Sequence, residues 1–374
     1  GLSTIAGDIL LDAGHFEEPA QGRGDFDGNP TSAYNALPHA LSVNLQTTRI
    51  HLVKDDAGKA VRAFTDPPLA NLPLRNELRL VRAPCQRKYH KPALRVVETD
   101  TETVLRLTGT FADGCDKSDY ARLLLDPLRH TAGAVGALWR DMQGEILGTN
   151  REGAAPQDAR LLHAVESAPL ESAIRTINKT SNNLMTRTLF LTLGADQEGA
   201  PGTREKARRV LARWLAKNRL DFPELVVDNG SGLSRDTRIS AASLARLLAH
   251  AFDAPTMPQY LASLSIPGVD GTMRKRLGKS AVAGRAHLKT GTLRGTTGLA
   301  GYVLDGEDRR WILVSLISSP KLQAWRGKQV ENSLLQWVYD KAGVGEAGDA
   351  GADRTGRRWY RDDTHTAAHE ASAQ

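Results

Sequence analysis

Hydrophobic and polar residues alternate along much of the first 118 residues, as they do in strands that bury one face. Turn-rich segments of Asp, Gly, Asn and Pro separate the alternating runs. The pattern predicts strands in these runs: 5–11, 41–52, 78–82, 94–97 and 103–108. This part of the chain is therefore predicted to be β-rich.

From about residue 119 the apolar residues recur at the spacing of helices. The pattern predicts helices over 121–128, 131–142, 170–178 and 203–220. In the last of these, Ala207, Val210 and Trp214 line one face, while Arg and Lys line the other. Residues 225–227 predict a short strand, and Ser240 is placed to cap a further helix that continues to residue 251.

Three strand-like runs and one helix close the predicted folded part. The strands are expected over 285–289, 298–304 and 311–318, and the helix over 323–341. After Gly343 the composition offers little to bury, so residues 344–374 are predicted to be a disordered tail.

The composition is that of a soluble globular protein, with 40% hydrophobic and 25% charged residues. A chain of 374 residues is long enough for two or three domains. The net charge of +6 comes from scattered Lys and Arg, so no nucleic-acid partner is expected. No run approaches the roughly 18 apolar residues of a membrane span, so no transmembrane segment is expected. Because the chain opens on Gly1 rather than Met, we expect that an upstream segment has been removed or left out.

The two cysteines, Cys85 and Cys115, lie 30 positions apart without a CxxC or a zinc-type Cys/His spacing. We expect them to form a disulfide, which in an exported protein would stabilise the fold by roughly 3 kcal/mol. Two free buried thiols in a cytosolic protein are the alternative.

No metal site and no cofactor are expected. His365 and His369 have helical i,i+4 spacing but lack the Glu of an H-E-x-x-H pattern. Residues 25–29 imitate the start of a calcium loop, but Pro30 replaces its glycine and Ala36 its final Glu.

The first candidate motif is Lys289-Thr290-Gly291, at the end of a predicted strand. Thr292, a turn, two more strands and a helix follow it. A strand edge in this position can pair with an extended peptide while its side chains meet the peptide terminus.

The second candidate motif, S-x-N, occurs twice in the chain. Ser42-Val43-Asn44 lies among alternating residues, where a structural role in a strand is expected. Ser181-Asn182-Asn183 lies between two helical runs. There a helix N-cap would by itself explain a Ser or an Asn. The alternative is a catalytic role.

A third element is the segment DNGSGLSR at residues 228–235, between a predicted strand and a helix. It is not a G-x-S-x-G nucleophile elbow, because Asn229 and Leu233 stand where that motif has glycine. Taken alone, the segment is better explained as a glycine-rich turn than as a functional element.

Taken in order, INKTSNN, DNGSGLSR, GVDGTMRKRL and LKTGTLRGTTGLAGYV resemble the class C low-molecular-mass penicillin-binding proteins. These form the D-alanyl-D-alanine carboxypeptidase/endopeptidase family. GDILLDAGHF and YNALPHALSVN also look like the opening of the β-rich domains that the family inserts between its first and second motifs. The resemblance covers nearly everything except the tail.

The resemblance implies an α+β fold: a serine β-lactamase/transpeptidase-like domain whose N-terminal portion is absent, with inserted β-rich domains. The domain limits that it implies are 1–118 for the inserted domains, 119–343 for the C-terminal part of the transpeptidase-like domain, and 344–374 for the tail. It also implies acyl transfer on peptidoglycan stem peptides ending in D-Ala-D-Ala, inhibition by β-lactam antibiotics, and a periplasmic location.

The resemblance also assigns roles by motif position. Ser181 would relay a proton to or from the leaving amine, and Asn183 would orient the substrate amide. Lys289 and Thr290 would bind the terminal carboxylate. Gly291 would let the substrate lie close to the strand, and the backbone N–H of Thr292 would supply half of an oxyanion hole.

The chain departs from the family pattern at the nucleophile. Its only literal S-x-x-K is Ser318-Ser319-Pro320-Lys321, at the end of a predicted strand rather than the start of a helix, and we interpret it as accidental. Without a Ser beside a base no acyl-enzyme forms, so this chain is predicted to be inactive by itself. Either an upstream segment holds the nucleophile, which we favour, or the chain is a non-catalytic peptidoglycan-binding protein. A β-lactamase is a third possibility.

Overall fold

The computed structural model describes residues 2–55 and 57–341. Within these ranges the strands are β1 (Thr4–Ile5), β2 (Ile9–Leu11), β3 (Thr48–Lys54), β4 (Val61–Asp66), β5 (Leu74–Asn76), β6 (Arg79–Val81), β7 (Lys91–Glu98), β8 (Thr103–Ala112), β9 (Lys117–Arg122), β10 (Glu145–Ile146), β11 (Asn150–Glu152), β12 (Ala286–Leu293), β13 (Thr296–Leu304) and β14 (Arg310–Ser318).

The α-helices of the same ranges are α1 (Pro127–Asp141), α2 (Leu170–Thr180), α3 (Asn183–Glu198), α4 (Arg204–Lys217), α5 (Ala241–Asp253), α6 (Met257–Ser263) and α7 (Ala324–Asp340). Short 3-10 helices cover Ala33–Asn35, Asn44–Gln46 and Gly271–Met273.

The chain divides into two compact units that interleave along the sequence. The first unit contains the residues up to Ser167 together with Asn182–Arg219 and Val226–Arg238. Of the described residues, the second unit contains Ala168–Ser181, Leu220–Leu225 and those from Ile239 to Lys341. The predicted domain limits at residues 118 and 343 remain a prediction, and the predicted tail, with His365 and His369, lies outside the described residues.

The first unit is built mainly from two small sheets. In one, β3 lies between β4 and β9, antiparallel to both. In the other, β8 pairs with β7 antiparallel and with β5 and β6 parallel. The alternation along β3 and β8 buries Ile50, Leu52, Leu105, Leu107 and Phe111 in one hydrophobic core, because every second side chain of a strand faces the same side.

The helices of the first unit begin at clear capping residues. Asp126 accepts the N–H of Arg129 at the start of α1, and Pro127 occupies the first helical position, where a missing N–H costs nothing. Thr203 caps α4 through the N–H of Lys206. Helices α3 and α4 pack against each other.

The second unit is a three-stranded antiparallel sheet, β12-β13-β14, with helices on both faces. Leu299 of β13 belongs to the core that includes Leu335 of α7. Tyr302, on the other face of β13, packs in the core around Leu248 of α5, and its hydroxyl donates to the Leu248 carbonyl. Helix α5 begins at Ser240, whose hydroxyl accepts the N–H of Ser243, as predicted.

Four local predictions differ from the structure. The run 5–11 is two short strands rather than one, because β1 pairs with β10 and β2 pairs with β11. Residues 121–128 are not one helix, because β9 pairs with β3 as far as residue 122 and α1 begins only at Pro127. The run 41–52 is a strand only from Thr48, because residues 44–46 turn through left-handed backbone conformations. The predicted strand at 225–227 is reduced to one bridge, between Val226 and Arg238.

Candidate active site

Ser181 is positioned by the end of helix α2. It is the C-cap residue, with left-handed backbone angles of φ 54° and ψ 49°, and its N–H donates to the Ile177 carbonyl. A left-handed residue terminates a helix because it turns the chain away from the helix axis. Serine pays a steric cost for this conformation, which glycine would not. The exposed Ser181 hydroxyl is thereby carried on a fixed turn.

The N-cap of the following helix is Asn182, not Ser181. The Asn182 side chain accepts the N–H of Met185 at 2.9 Å at the start of α3. The N-cap explanation is therefore confirmed for the Asn at position 182 and wrong for Ser181, whose hydroxyl it does not account for.

Asn183 is the first residue of α3 and belongs to the first unit. Its side-chain amide donates to the Tyr34 carbonyl at 3.1 Å. One turn further along α3, the buried guanidinium of Arg187 contacts the carbonyls of Ala36 and Leu233. Asn183 and Arg187 thus bind residues 34–36 and Leu233 to helix α3. The role of Asn183 toward a substrate remains a prediction.

Lys289 projects from β12 of the second unit, and its ammonium donates to the Ser181 hydroxyl at 2.8 Å. It also donates to the Thr290 carbonyl at 3.0 Å. Burial lowers the pKa of Lys289 from its ordinary 10.5 to about 8, because a charge is less stable away from water. Near neutral pH this ammonium is therefore close to its titration range.

The remaining residues of the motif follow Lys289 along β12. Thr290, Gly291 and Thr292 lie opposite residues 299, 298 and 297 of β13. Gly291 is exposed, and the added Cβ of a larger residue would meet only the Gly298 carbonyl, 4.0 Å away. On the other edge of β12, the pairing found within the described residues is one bridge, from Leu288 to Ser265. Beyond that bridge the edge is open to an extended peptide.

Four residues around this motif received no role from the sequence. Lys179 of α2 forms an ion pair with Asp270, 2.6 Å between Nζ and Oδ2. Burial opposes ionisation of Asp270, but the hydrogen bonds from Lys179 and the Ile266 N–H, together with the nearby positive charges, outweigh it and hold the pKa of that carboxyl below its usual value. The Thr290 hydroxyl donates to Thr272, which contacts Ser265. The only signal was that Lys179 lies in INKTSNN, and Asp270 and Thr272 lie in GVDGTMRKRL, segments that carry the family resemblance. Ser265 lies before the second segment and had no such signal.

The segment at residues 228–235 is a turn of the first unit held by its own side chains. The Asn229 amide donates to the Leu233 carbonyl, and its oxygen accepts both the N–H and the hydroxyl of Ser231. Gly230 has a positive φ of 77° and lies directly against Phe190. These contacts explain the residue types of the turn without a catalytic role.

Two further predicted features also have definite positions. Cys85 and Cys115 are bonded as a disulfide in the first unit. The S-x-x-K run begins at Ser318, the last residue of β14, and Ser318 contacts the hydroxyl of Thr296 at 3.2 Å. Within residues 2–55 and 57–341, no cluster of three or more His, Cys, Asp or Glu has metal-ligand geometry.

The family model described as "D-Ala-D-Ala carboxypeptidase 3 (S13) family" matches residues 1–341. The chain belongs to this family. The recognition of a class C low-molecular-mass penicillin-binding protein is thereby confirmed, as is its classification, by family, as a serine-type carboxypeptidase.

Two relatives illustrate the range of similarity. The D-alanyl-D-alanine carboxypeptidase of Actinomadura sp. (strain R39) is 34% identical over 152 residues, which cover 39% of this chain and 28% of the relative. The D-alanyl-D-alanine carboxypeptidase DacB of Haemophilus influenzae is 22% identical over 346 residues, which cover 90% of this chain and 70% of the relative. The chain thus spans well under two thirds of the Actinomadura protein.

Solved structures support the fold. Penicillin binding protein 4 (dacB) from H. influenzae superimposes with a TM-score of 0.69 at 20% identity, covering 89% of this chain and 76% of that protein. The same protein complexed with a β-lactam has a TM-score of 0.66 at 18% identity, covering 91% and 75%. The predicted α+β, transpeptidase-like fold class is confirmed. None of the helices among the described residues has the length and apolar character needed to cross a bilayer.

Proposed function

We propose that this protein acts on peptidoglycan stem peptides ending in D-Ala-D-Ala, as a serine-type D-alanyl-D-alanine carboxypeptidase/endopeptidase that works through an acyl-enzyme. The observation that carries the proposal is the 2.8 Å contact between Lys289 Nζ and Ser181 Oγ, which joins the second and third motifs of the family. Family membership supplies the reaction class.

Lys289 and Thr290 bind the terminal carboxylate of the peptide in this proposal. An ammonium bonded to a carboxylate forms a charge-assisted hydrogen bond, about twice as strong as a neutral one. The hydroxyl of Thr290 adds a second donor at the adjacent position of β12. Gly291 leaves room for the peptide to run along the open edge, and the N–H of Thr292 serves as one donor of an oxyanion hole.

Ser181 passes a proton between Lys289 and the leaving amine. A group that exchanges protons works best when its pKa is near the working pH. The pKa of about 8 for Lys289 meets this condition, whereas an ordinary lysine would hold its proton too tightly. Asn183 orients the substrate amide, by its position in the motif.

The proposed location is the periplasm, and the proposed inhibitors are penicillins. The disulfide between Cys85 and Cys115 supports an oxidising compartment, because such bonds persist outside the reducing cytosol. Inhibition is supported by the relative whose structure is described as complexed with a novel β-lactam.

One observation favours a second candidate, a peptidoglycan-binding protein without hydrolysis. Acylation needs a serine hydroxyl beside a base. The only S-x-x-K of the chain ends a strand, with Pro320 at its third position, and the hydroxyl of Ser318 is bonded to Thr296. That serine does not have the setting of a nucleophile.

A fluorescent penicillin tests both candidates. The chain and the product of the complete open reading frame are incubated with it, and acylated peptides are mapped by mass spectrometry. Covalent labelling of either protein, with D-Ala released from a stem peptide, supports the peptidase. Peptide binding by both proteins without labelling favours the binding protein, and rapid turnover of the drug favours a β-lactamase. A wild-type protein that neither reacts with the penicillin nor binds the peptide contradicts all three.

A further inference from the structure

The segment from Ser265 to Thr272 is attached to β12 immediately before the carboxylate-binding residues. The N–H of Ser265 donates to the Leu288 carbonyl at 2.9 Å, and the N–H of Leu288 donates back to the Ser265 carbonyl at 2.8 Å. Thr290 lies two positions further along the strand. Two backbone hydrogen bonds therefore fasten the segment to the strand that carries Lys289 and Thr290.

Three hydroxyl groups form a chain between this segment and Thr290. Thr290 Oγ1 lies 2.9 Å from Thr272 Oγ1, and Thr272 Oγ1 lies 3.2 Å from Ser265 Oγ. The N–H of Thr272 also donates to Ser265 Oγ at 3.1 Å. Ser265 is fully buried, whereas Thr272 is exposed. This chain of hydroxyl groups thus runs from the buried Ser265 to Thr290 on the open edge of β12.

The turn that presents Thr272 is held by specific contacts. Asp270 accepts the N–H of Ile266 through one carboxylate oxygen and the Lys179 ammonium through the other. Gly271 has a positive φ of 57°, and a Cβ there would collide with the Ser265 hydroxyl. Since only glycine fits this conformation and this space, Thr272 is fixed relative to Ser265.

We propose that Thr272 is a positioning residue, which holds the Thr290 hydroxyl in the orientation that donates to a substrate carboxylate. This rests on the proposed function. In the structure the Thr290 hydroxyl donates to Thr272. A carboxylate only accepts hydrogen bonds, so the Thr290 proton must turn toward it when the peptide binds.

The chain of hydroxyls keeps every oxygen satisfied after that rotation. A hydroxyl has one proton and two lone pairs, so each group can donate once and still accept. When Thr290 donates to the carboxylate, Thr272 donates to Thr290, and Ser265 donates to Thr272. Hydrogen bonds aligned in one direction polarise each other, so the chain of hydroxyl groups strengthens the hydrogen bond that Thr290 donates to the carboxylate.

The test is a titration of the protein with a peptide, in which the NMR chemical shifts of the protein report binding. The probes are an N-acetylated peptide ending in D-Ala-D-Ala and the same peptide with a C-terminal amide. Thr272→Val removes the hydroxyl at nearly constant volume, and Thr272→Ser restores it. Thr256→Val is the matched control, because Thr256 is an exposed threonine of the same unit without a side-chain capping bond among the described residues. Thr290→Val, alone and combined with Thr272→Val, completes a double-mutant cycle.

We expect Thr272→Val to weaken binding of the acid about threefold to tenfold, the size of one hydrogen bond, and to leave the amide unchanged. Thr272→Ser should bind the acid within about twofold of wild type. In the Thr290→Val background Thr272→Val should have no further effect, because its influence passes through Thr290. This last comparison holds even if Thr272→Val lowers the overall stability.

Several outcomes overturn the inference. The inference is wrong if Thr272→Val binds the acid as tightly as wild type does, or loses affinity for the acid and the amide equally. It is also wrong if Thr272→Ser does not restore affinity for the acid, or if the effects of Thr272→Val and Thr290→Val add in the double mutant. These outcomes leave the proposed function intact. If the wild-type chain itself does not prefer the acid to the amide, the proposed carboxylate site is wrong and the inference falls with it.

Discussion

Lys289 and Ser181, 108 positions apart in the chain, meet through a hydrogen bond of 2.8 Å. The helix that ends at Ser181 and the strand that carries Lys289 belong to the same compact unit. The contact joins a hydroxyl in a left-handed turn to an ammonium with a lowered pKa. The first two predictions concern this pair.

Binding of a D-Ala-D-Ala peptide should weaken as the pH rises through 8. The folded pKa of Lys289 is about 8, below its ordinary 10.5, so the ammonium is fully present near pH 6.5 and largely lost at pH 9.5. Affinity for the free acid should fall by up to about tenfold per pH unit above pH 8. Titrations with the acid and the amide from pH 6.5 to 9.5 measure this, and the amide should respond far less. Constant affinity for the acid up to pH 9.5 would show that the Lys289 charge is not used.

Lys289→Met should reduce affinity for the acid by about tenfold to a hundredfold, because a hydrogen bond between charged groups is lost. The variant should also lose the pH dependence. Lys321→Met is the matched control, since it removes the lysine of the S-x-x-K run at the end of β14 and should bind as wild type. Isothermal titration calorimetry with each variant measures the difference. A larger effect at Lys321 than at Lys289 would contradict the assignment of the site.

Replacing Cys85 and Cys115 by serine should destabilise the first unit by roughly 2–4 kcal/mol, because the bond closes a loop of 30 positions in the unfolded chain. Urea denaturation with and without a reducing agent measures this change. Wild type under reducing conditions should match the double variant. Equal stability of oxidised and reduced wild type would mean that the bridge adds nothing to the fold.

His130 should make the first unit less stable in mild acid. It is fully buried on α1, and burial holds its pKa below the ordinary value of 6.5. The unfolded chain then takes up a proton more readily than the folded one, so stability is lost as the pH falls below about 6.5. Urea midpoints at pH 7.5 and 5.5 should differ less for His130→Gln than for wild type. An unchanged difference would show that other groups cause the acid sensitivity.

Part of the fold could be predicted because it depends on local periodicity. The helix ending at residue 180, the three strands of the second unit and the helix after residue 323 were each predicted within a few residues. The run 121–128 failed because its continuous leucines suit a strand or a helix equally. The pair Asp126-Pro127, a capping residue before a first-turn proline, was the signal that would have marked the true helix start.

The sequence by itself determined the chemistry available to this protein: the order of the motifs, the family that they resemble, the periodicity of the second unit and the residue types that suit a carboxylate-terminated peptide. The tertiary structure alone decided which of these groups meet. Ser181 contacts Lys289, and Thr272 contacts Thr290, because a left-handed turn, a half-buried ion pair and a strand edge bring distant segments together. Periodicity records which face of an element is buried, but not which other segment covers it, since that choice depends on the packing of the whole unit.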